Sequence, residues 1–420
     1  MVPMRWLHTS DWHLGRGFHG HSLQSAQQEM LETVCSTVQE NQVDVLLVAG
    51  DVYDRALPPE WAVKELESCL ERLAGSGTRV IITSGNHDSA QRLGFGRGLM
   101  GAAGVHLRTS PEDAFEPVVI PGDGGSGGSS EGAEHVLVYG VPYLEPALVR
   151  EELSLDRADH TAVMTEVVRR IWEDVAARRQ ALGEGRTVRV VLMAHLFAAE
   201  GVGSESERNI GVEAPPGERM DHGDHSAGGL AVVPLELFDG FDYVALGHLH
   251  GRQRLSPTVR YSGSPLRYSF SETRQAKGAW LWDSRDWSEI TPVDWAIGRP
   301  LAQLKGTIEE VLSPRTVQQH QEAYLQVTLT DPVRPERAYQ RVREAYPHLC
   351  SFTHTGQGQE NRLQTYSSAV EQAASDTDIV AGFLEHVRGR GPDQQEEELL
   401  EEALRTVRRE NPADQGAGAR

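Results

Sequence analysis

The chain has 420 residues, enough for more than one domain, and its 40 Lys and Arg against 61 Asp and Glu leave a formal net charge of −21. That balance excludes a protein that coats nucleic acid or an anionic membrane by bulk charge, while leaving room for a local basic groove. Apolar runs such as Val43 to Ala49 are too short to span a bilayer, and no basic stretch precedes an apolar core near Met1. Neither a membrane span nor a secretory leader is therefore expected, which places the chain in the cytoplasm. Cys35, Cys69 and Cys350 are odd in number and widely spaced, and read as reduced thiols without a disulfide frame or a cysteine-based zinc site.

Arg5 to Thr9 reads as a short strand, and Leu23 to Asn41 has helical spacing. Asp44 to Ala49 is almost wholly apolar, the pattern of a strand covered on both faces. Pro58 opens a second helix to about Ala74, stopped by Gly75 and Gly77, and Arg79 to Thr83 is the next strand. This βαβαβ order predicts parallel strands, right-handed crossovers and helices on both faces. Gly122 to Gly132 is Gly/Ser-rich and predicts a flexible surface loop. A strand at His135 to Tyr139, a long helix at His160 to Leu182 and a core strand at Val188 to Ala194 follow, then a second exposed loop at Gly201 to Gly229. Asp242 to Leu246, Val259 to Ser262 and Ala279 to Asp283 complete the sheets. The character changes near Gly298-Arg299-Pro300: Leu304 to Glu309, Ala323 to Thr330, Pro335 to Ala345 and Leu349 to His354 read strand, strand, helix, strand. From about Asp376 the chain turns helical and acidic, and Asn411 to Arg420 reads as disordered. The expected division is 1–297, 298–370 and 371–420.

Short polar signatures each follow a predicted strand: Asp11-Trp12-His13, Gly50-Asp51-Val52-Tyr53-Asp54, Gly85-Asn86-His87-Asp88, Ala194-His195 and Gly247-His248-Leu249-His250. Loops after parallel strands emerge at one edge of an open α/β sheet, so topology alone brings Asp11, His13, Asp51 and Asn86 to one rim. His195, His248 and His250 join them if their strands run the same way. Aspartates, an Asn carbonyl and imidazoles suit divalent metals that take mixed nitrogen and oxygen ligands, namely manganese, iron or zinc. They are too many for one ion, since a catalytic zinc uses about three protein ligands. Two ions about 4 Å apart, bridged by a carboxylate, form a clamp for in-line attack on a phosphoryl centre. Asp51, preceded by a glycine that lets the backbone turn sharply, is the bridging candidate. His87 follows a ligand directly, so its ring can reach substrate while Asn86 holds metal. Asp54 and Asp88 read as orienting groups. His222 and His225 resemble a metal pair but sit in a Gly/Asp-rich stretch with no preceding strand.

These signatures are similar to those of calcineurin-like metallophosphoesterases, and longer stretches resemble the SbcD nuclease family. Those stretches are Leu7-His8-Thr9-Ser10-Asp11-Trp12-His13-Leu14-Gly15, Ala49 to Arg55, Phe241 to His250, and Tyr261-Ser262-Gly263-Ser264-Pro265-Leu266. The resemblance implies an α/β fold: a two-sheet αββα sandwich as nuclease domain, a small α+β domain that caps DNA, and C-terminal helices that bind a partner and end in a disordered tail. It implies Asp11, His13, Asp51 and His250 around one ion, Asp51, Asn86, His195 and His248 around the other, manganese as the usual metal, and His87 as the catalytic histidine. The implied activity is ATP-dependent 3′→5′ exonuclease action on duplex ends and endonuclease cutting of single strands and hairpins, in recombination, replication and repair. The implied partners are DNA, an SbcC-type SMC-like ATPase in a heterodimer or heterotetramer, and a second copy of this chain.

Between Gly251 and Lys277 the basic residues Arg252, Arg254, Arg260, Arg267, Arg274 and Lys277 meet one acid, Glu272, and interleave with Tyr261, Tyr268 and Phe270. Arginine beside aromatics can hold phosphates and stack on unpaired bases, so Arg252, Arg254, Arg260, Tyr261, Arg267 and Tyr268 are the candidate DNA contacts; a solvated strand pair is the alternative. Leu399, Leu400, Ala403, Leu404 and Val407 fall at helical spacing behind Glu396-Glu397-Glu398, which suits docking on a partner helix or packing on the same domain. No Gly-x-x-x-x-Gly-Lys-Ser/Thr loop occurs, so any ATP dependence comes from a partner. A small-molecule or cyclic-nucleotide phosphodiesterase and a non-catalytic DNA/ATPase scaffold remain as other readings.

Overall fold

A computed structural model describes residues 4–121, 135–183, 187–199, 203, 232–356, 396 and 399. Two compact units divide between Ala302 and Gln303. In chain order the first contains β1 (Arg5–Thr9), β2 (Gly17–Phe18), β3 (His21–Ser22), α1 (Gln24–Glu40), β4 (Val45–Ala49), α2 (Glu60–Gly75), β5 (Arg79–Thr83), α3 (Ala90–Leu93), α4 (Arg97–Ala102) and β6 (Val105–Arg108). It continues with β7 (Val118–Pro121), β8 (His135–Gly140), α5 (Pro146–Val149), α6 (His160–Leu182), β9 (Val188–His195), β10 (Tyr243–Gly247), β11 (Gln253–Arg254), β12 (Val259–Tyr261), β13 (Gly278–Asp283) and β14 (Asp286–Asp294).

These strands form two six-stranded sheets, ordered β14-β13-β1-β4-β5-β6 and β11-β12-β10-β9-β8-β7, beside the small β2-β3 hairpin. β1, β4, β5 and β6 run parallel in the first sheet, and β8, β9, β10 and β12 run parallel in the second. The fully apolar runs follow from burial on both faces. Val45, Leu47, Ala49 and Ile81 of the first sheet pack against Val136, Val138, Val191, Met193, Tyr243 and Ala245 of the second. On the other side of the second sheet, Val163, Val167 and Ile171 of α6 cover Val190, Leu192, Val244 and Leu246. Each such Val, Leu, Ile or Met side chain contributes about 1.5–3 kcal/mol on burial. α1 and α2 pack on one another, and α2 lies against β5. The result is a layered α/β sandwich whose catalytic-type loops share one edge.

β6, β7 and β14 carry weak sequence signals. β6 is four residues long with alternate burial, and β14 is an exposed strand at the sheet edge bearing Asp286, Glu289 and Asp294, where charge guards against pairing with other chains.

The second unit contains most of β15 (Leu301–Gly306), then α7 (Ile308–Val311), α8 (Pro314–His320), β16 (Tyr324–Leu329), α9 (Ala338–Ala345) and β17 (Leu349–His354), with sheet order β15-β16-β17. The strand expected at Leu304 to Glu309 lies earlier, because Thr307 and Glu310 form a capping box: the Thr307 N–H donates to Glu310 Oε2 at 2.8 Å. The Gly122 to Gly132 stretch, His222 and His225, and the 371–420 segment apart from Glu396 and Leu399 lie outside the described residues. Among those described, no helix is long and apolar enough to cross a membrane.

Candidate metal centre

The loops after β1 and β4 are laced together before any side chain is considered. The Asp11 N–H donates to Gly50 O at 3.1 Å, the His13 N–H to Asp51 O at 2.9 Å and the Leu14 N–H to Val52 O at 2.9 Å. This close approach forces unusual backbone: Asp11, His13, Asp51 and His248 have φ of 54°, 45°, 47° and 104°. Positive φ is uncommon for residues with a Cβ, and its concentration on expected ligands marks a strained, functional rim. Gly247 is required by proximity, since a Cβ there would fall on Ala49 O and the His195 ring.

On this rim the expected residues converge. Asp11, His13 and His250 form one group with ligand atoms within 4.8 Å of one another, and Asp11, Asp51 and His195 form another. His13 Nε2 and His250 Nε2 face each other at 3.0 Å. Asp51 Oδ2 lies 3.7 Å from His13 Nε2 and 3.4 Å from His195 Nε2, between the two halves. Asn86 Oδ1 lies 2.9 Å from His195 Nε2, and the His248 ring stands edge-on to His195 at 5.3 Å. His248 belongs to neither tight group. A third group joins His13, Asp54 and His87. The His87 N–H donates to Asp51 Oδ1 at 2.8 Å, and His87 Nδ1 donates to Asp54 O at 2.7 Å.

The donor set fits divalent cations. His195 Nδ1 lies 3.0 Å from Ala49 O, to which it must donate, so in the neutral ring Nε2 turns a lone pair toward Asp51 and Asn86 oxygens. Lone pairs facing lone pairs in a dry pocket call for a cation between them. Without one, protons take its place. Burial works against protonation of His195, but Asp51 and then Asp11 raise it to about 9. Burial lifts Asp11 to about 6, while His195 holds buried Asp51 well below the usual carboxylate range. Burial keeps His13 and His248 far below the ordinary histidine value.

A pH dependence follows with a definite sign. Between the ordinary 6.5 and about 9 the native His195 binds a proton that the unfolded chain has released, so stability falls as pH rises. The melting temperature of chelator-treated protein should therefore be lower at pH 9 than at pH 6.5. His195→Asn should remove that part of the slope; an unaltered slope would show that His195 is not its source.

Further residues hold the ligand loops. The Asp88 carboxylate accepts from Val52 N at 3.0 Å, Tyr53 N at 2.8 Å and Gly85 N at 2.9 Å, stapling the loop after β4 to that after β5. Gln27, on α1, donates through Nε2 to His13 O at 2.8 Å and accepts from Gly15 N at 2.9 Å. Nothing in its sequence context signals this, because its partners are backbone atoms of another loop.

The basic, aromatic stretch is mostly turned inward, which corrects its reading as a DNA surface. Tyr261 is fully buried, its hydroxyl donating to Leu196 O at 2.9 Å and accepting from Ala198 N at 2.8 Å. Tyr268 is buried, donates to Trp12 O at 2.5 Å and packs edge-on to His13. Arg260 is buried over Trp280 at 4.6 Å. Arg252 donates to Val293 O at 3.1 Å and pairs with Asp294, and Arg267 donates to Gln275 O at 2.9 Å. Arg254 is the exposed member of the six.

Residues 4–252 match the calcineurin-like phosphoesterase family, so the fold belongs to a metal-dependent phosphoester hydrolase that uses divalent ions. Residues 298–388 match the type 5 capsule protein repressor C-terminal domain. The SbcD subunit of nuclease SbcCD from Bacillus subtilis (strain 168) is 30% identical over 415 residues, covering 92% of this chain and 98% of that one. Its counterpart in the SbcCD nuclease of Escherichia coli (strain K12) is 24% identical over 416 residues, covering 96% and 98%. The chain belongs to the SbcD family of nuclease subunits.

Proposed function

We propose that the chain is the nuclease subunit of an SbcCD-type complex and hydrolyses DNA phosphodiester bonds with two divalent ions, manganese being the physiological pair. The observation that carries this reading is the position of Asp51 Oδ2 between His13 Nε2 and His195 Nε2. In it, Asp11, His13, Asp51 and His250 hold one ion and Asp51, Asn86, His195 and His248 the other. When bound, the ions supply an activated water and neutralise charge on the phosphoryl oxygens. His87 does the proton work. With Nδ1 fixed on Asp54 O, its Nε2 lies 3.9 Å from Asp51 Oδ2, at the mouth of the cluster, placed to give a proton to the departing sugar oxygen. Arg254 is retained as a phosphate contact.

The action is 3′→5′ on duplex ends and endonucleolytic on single strands and hairpins, in the cytoplasm at the nucleoid. The 298–370 domain helps to hold the DNA, and an SMC-like ATPase of the SbcC type docks on the 371–420 segment. The direct test is nucleotide release from end-labelled single-stranded and duplex DNA by the purified chain. Manganese-dependent release, abolished by chelator, is the expected result. Intact DNA together with rapid hydrolysis of a small aryl phosphodiester, unaltered by adding the ATPase, would replace this reading by a small-molecule phosphodiesterase.

A second copy of this chain is the other partner. Leu57, Phe95 and Leu99 are 69%, 85% and 84% exposed, unusual for large apolar side chains, and Arg92 ties their two segments by donating to Ala56 O at 2.8 Å. Phe95→Ser with Leu99→Ser should halve the mass measured by light scattering. An unchanged mass would place the dimer elsewhere or dispose of it.

A further inference from the structure

We infer that the buried pair Glu272–Lys277 is a positioning device that aims His250 at the metal, an inference that rests on the reading of His250 as a metal-holding residue. Glu272 is 0% exposed and Lys277 2%. Lys277 Nζ donates to Glu272 Oε2 at 2.5 Å, to His250 O at 2.8 Å, to Ser264 Oγ at 3.0 Å and to Gln275 Oε1 at 3.0 Å. Glu272 Oε1 lies 3.4 Å from His250 Nδ1 and accepts from Ser269 Oγ at 3.3 Å, while Oε2 also accepts from Tyr268 N at 3.2 Å.

Burying two opposite charges is a poor way to stabilise a fold, because desolvation offsets their attraction and an apolar pair of the same size does as well. Their partners show a different use. Both ends of the pair converge on one residue: the ammonium holds the His250 carbonyl, and the carboxylate faces the ring. A carboxylate with an ammonium against it is ionised and can only accept, so His250 Nδ1 must carry the hydrogen. That fixes the tautomer and leaves the Nε2 lone pair directed at the point where His13 Nε2 arrives from 3.0 Å away. A histidine whose far nitrogen is held by a carboxylate is a stiffer and more basic metal ligand than one held by solvent. Lys277 then keeps Glu272 charged and pins the backbone from which the ring hangs.

The test is a calorimetric titration of chelator-stripped protein with Mn²⁺, together with the electron paramagnetic resonance of the manganese pair. Three variants are compared with wild type: Glu272→Leu/Lys277→Met, Glu272→Asp and His250→Ala. The double variant removes both charges at once, and should leave the unfolding of the stripped protein close to wild type. It should weaken one of the two Mn²⁺ sites by about 10–100-fold and reduce the spin-coupled signal. Glu272→Asp keeps the charge opposite Lys277 but withdraws the carboxylate from Nδ1, and should weaken the same site even if the double variant fails to fold. Wild-type affinity in Glu272→Asp or in the folded double variant, with one site lost in His250→Ala, would overturn the positioning role. Wild-type affinity in His250→Ala would instead overturn the assignment of His250 as a ligand, and the inference with it.

Discussion

His87→Ala should lower the rate of DNA hydrolysis by about 10²–10⁴-fold while both metal ions still bind. The separation of the two effects follows from how the residue is attached. Its backbone N–H donates to Asp51 Oδ1 at 2.8 Å, a contact that survives the substitution. Its ring is held from the far side, Nδ1 donating to Asp54 O, so what disappears is the Nε2 edge presented beside Asp51. If that edge protonates the leaving oxygen, the loss must depend on the leaving group. A deoxyribose alkoxide needs a proton and should show the full effect, whereas a nitrophenolate leaves without one and should show a much smaller effect. Parallel turnover measurements on end-labelled DNA and bis(p-nitrophenyl) phosphate decide the point. Equal losses on the two substrates would move His87 from leaving-group protonation to binding of the phosphate itself.

The gathering of the rim residues was legible because it depends on two rules of chain geometry. Parallel strands joined by right-handed crossovers discharge their loops at one edge, and strands buried on both faces announce themselves as unbroken apolar runs. Hence Arg79–Thr83 and His160–Leu182 form as their spacing predicts, and Asp51 and His195 meet although 144 positions separate their numbers. What was hidden falls into two kinds. A residue that acts through the backbone of another segment, such as Gln27 on the loop after β1, leaves no periodic trace, whereas Asp88, which does the same on the loop after β4, reads as an orienting group from its place beside Asn86 and His87. The segment from Gly251 to Lys277 misled in the opposite direction. Arg260 and Tyr261 look like a nucleic-acid surface by composition, yet Trp280 receives the arginine and the Leu196–Ala198 backbone receives the phenol. Composition cannot distinguish an arginine braced on an interior tryptophan from one that awaits a phosphate, because the chemistry that attracts it is the same.

Asp51→Asn should abolish metal-dependent stabilisation and lower hydrolysis on the order of 10³-fold or more. The carboxylate is 2% exposed and stands among His13, His195 and the His87 N–H. An amide of the same shape can still accept from His87 at Oδ1. At the other position it offers an N–H₂ group to the His13 and His195 lone pairs, filling by hydrogen bonds the place a cation would take. The negative charge that both ions would share is lost, so both affinities fall together. The metal-free fold loses a partner as well: Asp51 is the charge that, against burial, raises His195 to about 9, so that proton is no longer held, while Asp88, lifted by burial and by Asp51 to about 7, is relieved of a neighbouring anion. Ligand linkage supplies the readout, since saturation at 100 times Kd stabilises a native protein by about 2.7 kcal/mol. Thermal unfolding with and without Mn²⁺ should show that gain in wild type and none in the variant, each compared with its own metal-free melting temperature. A variant that Mn²⁺ stabilises as strongly as wild type would remove Asp51 from the shared position and, with it, the two-ion reading of the rim.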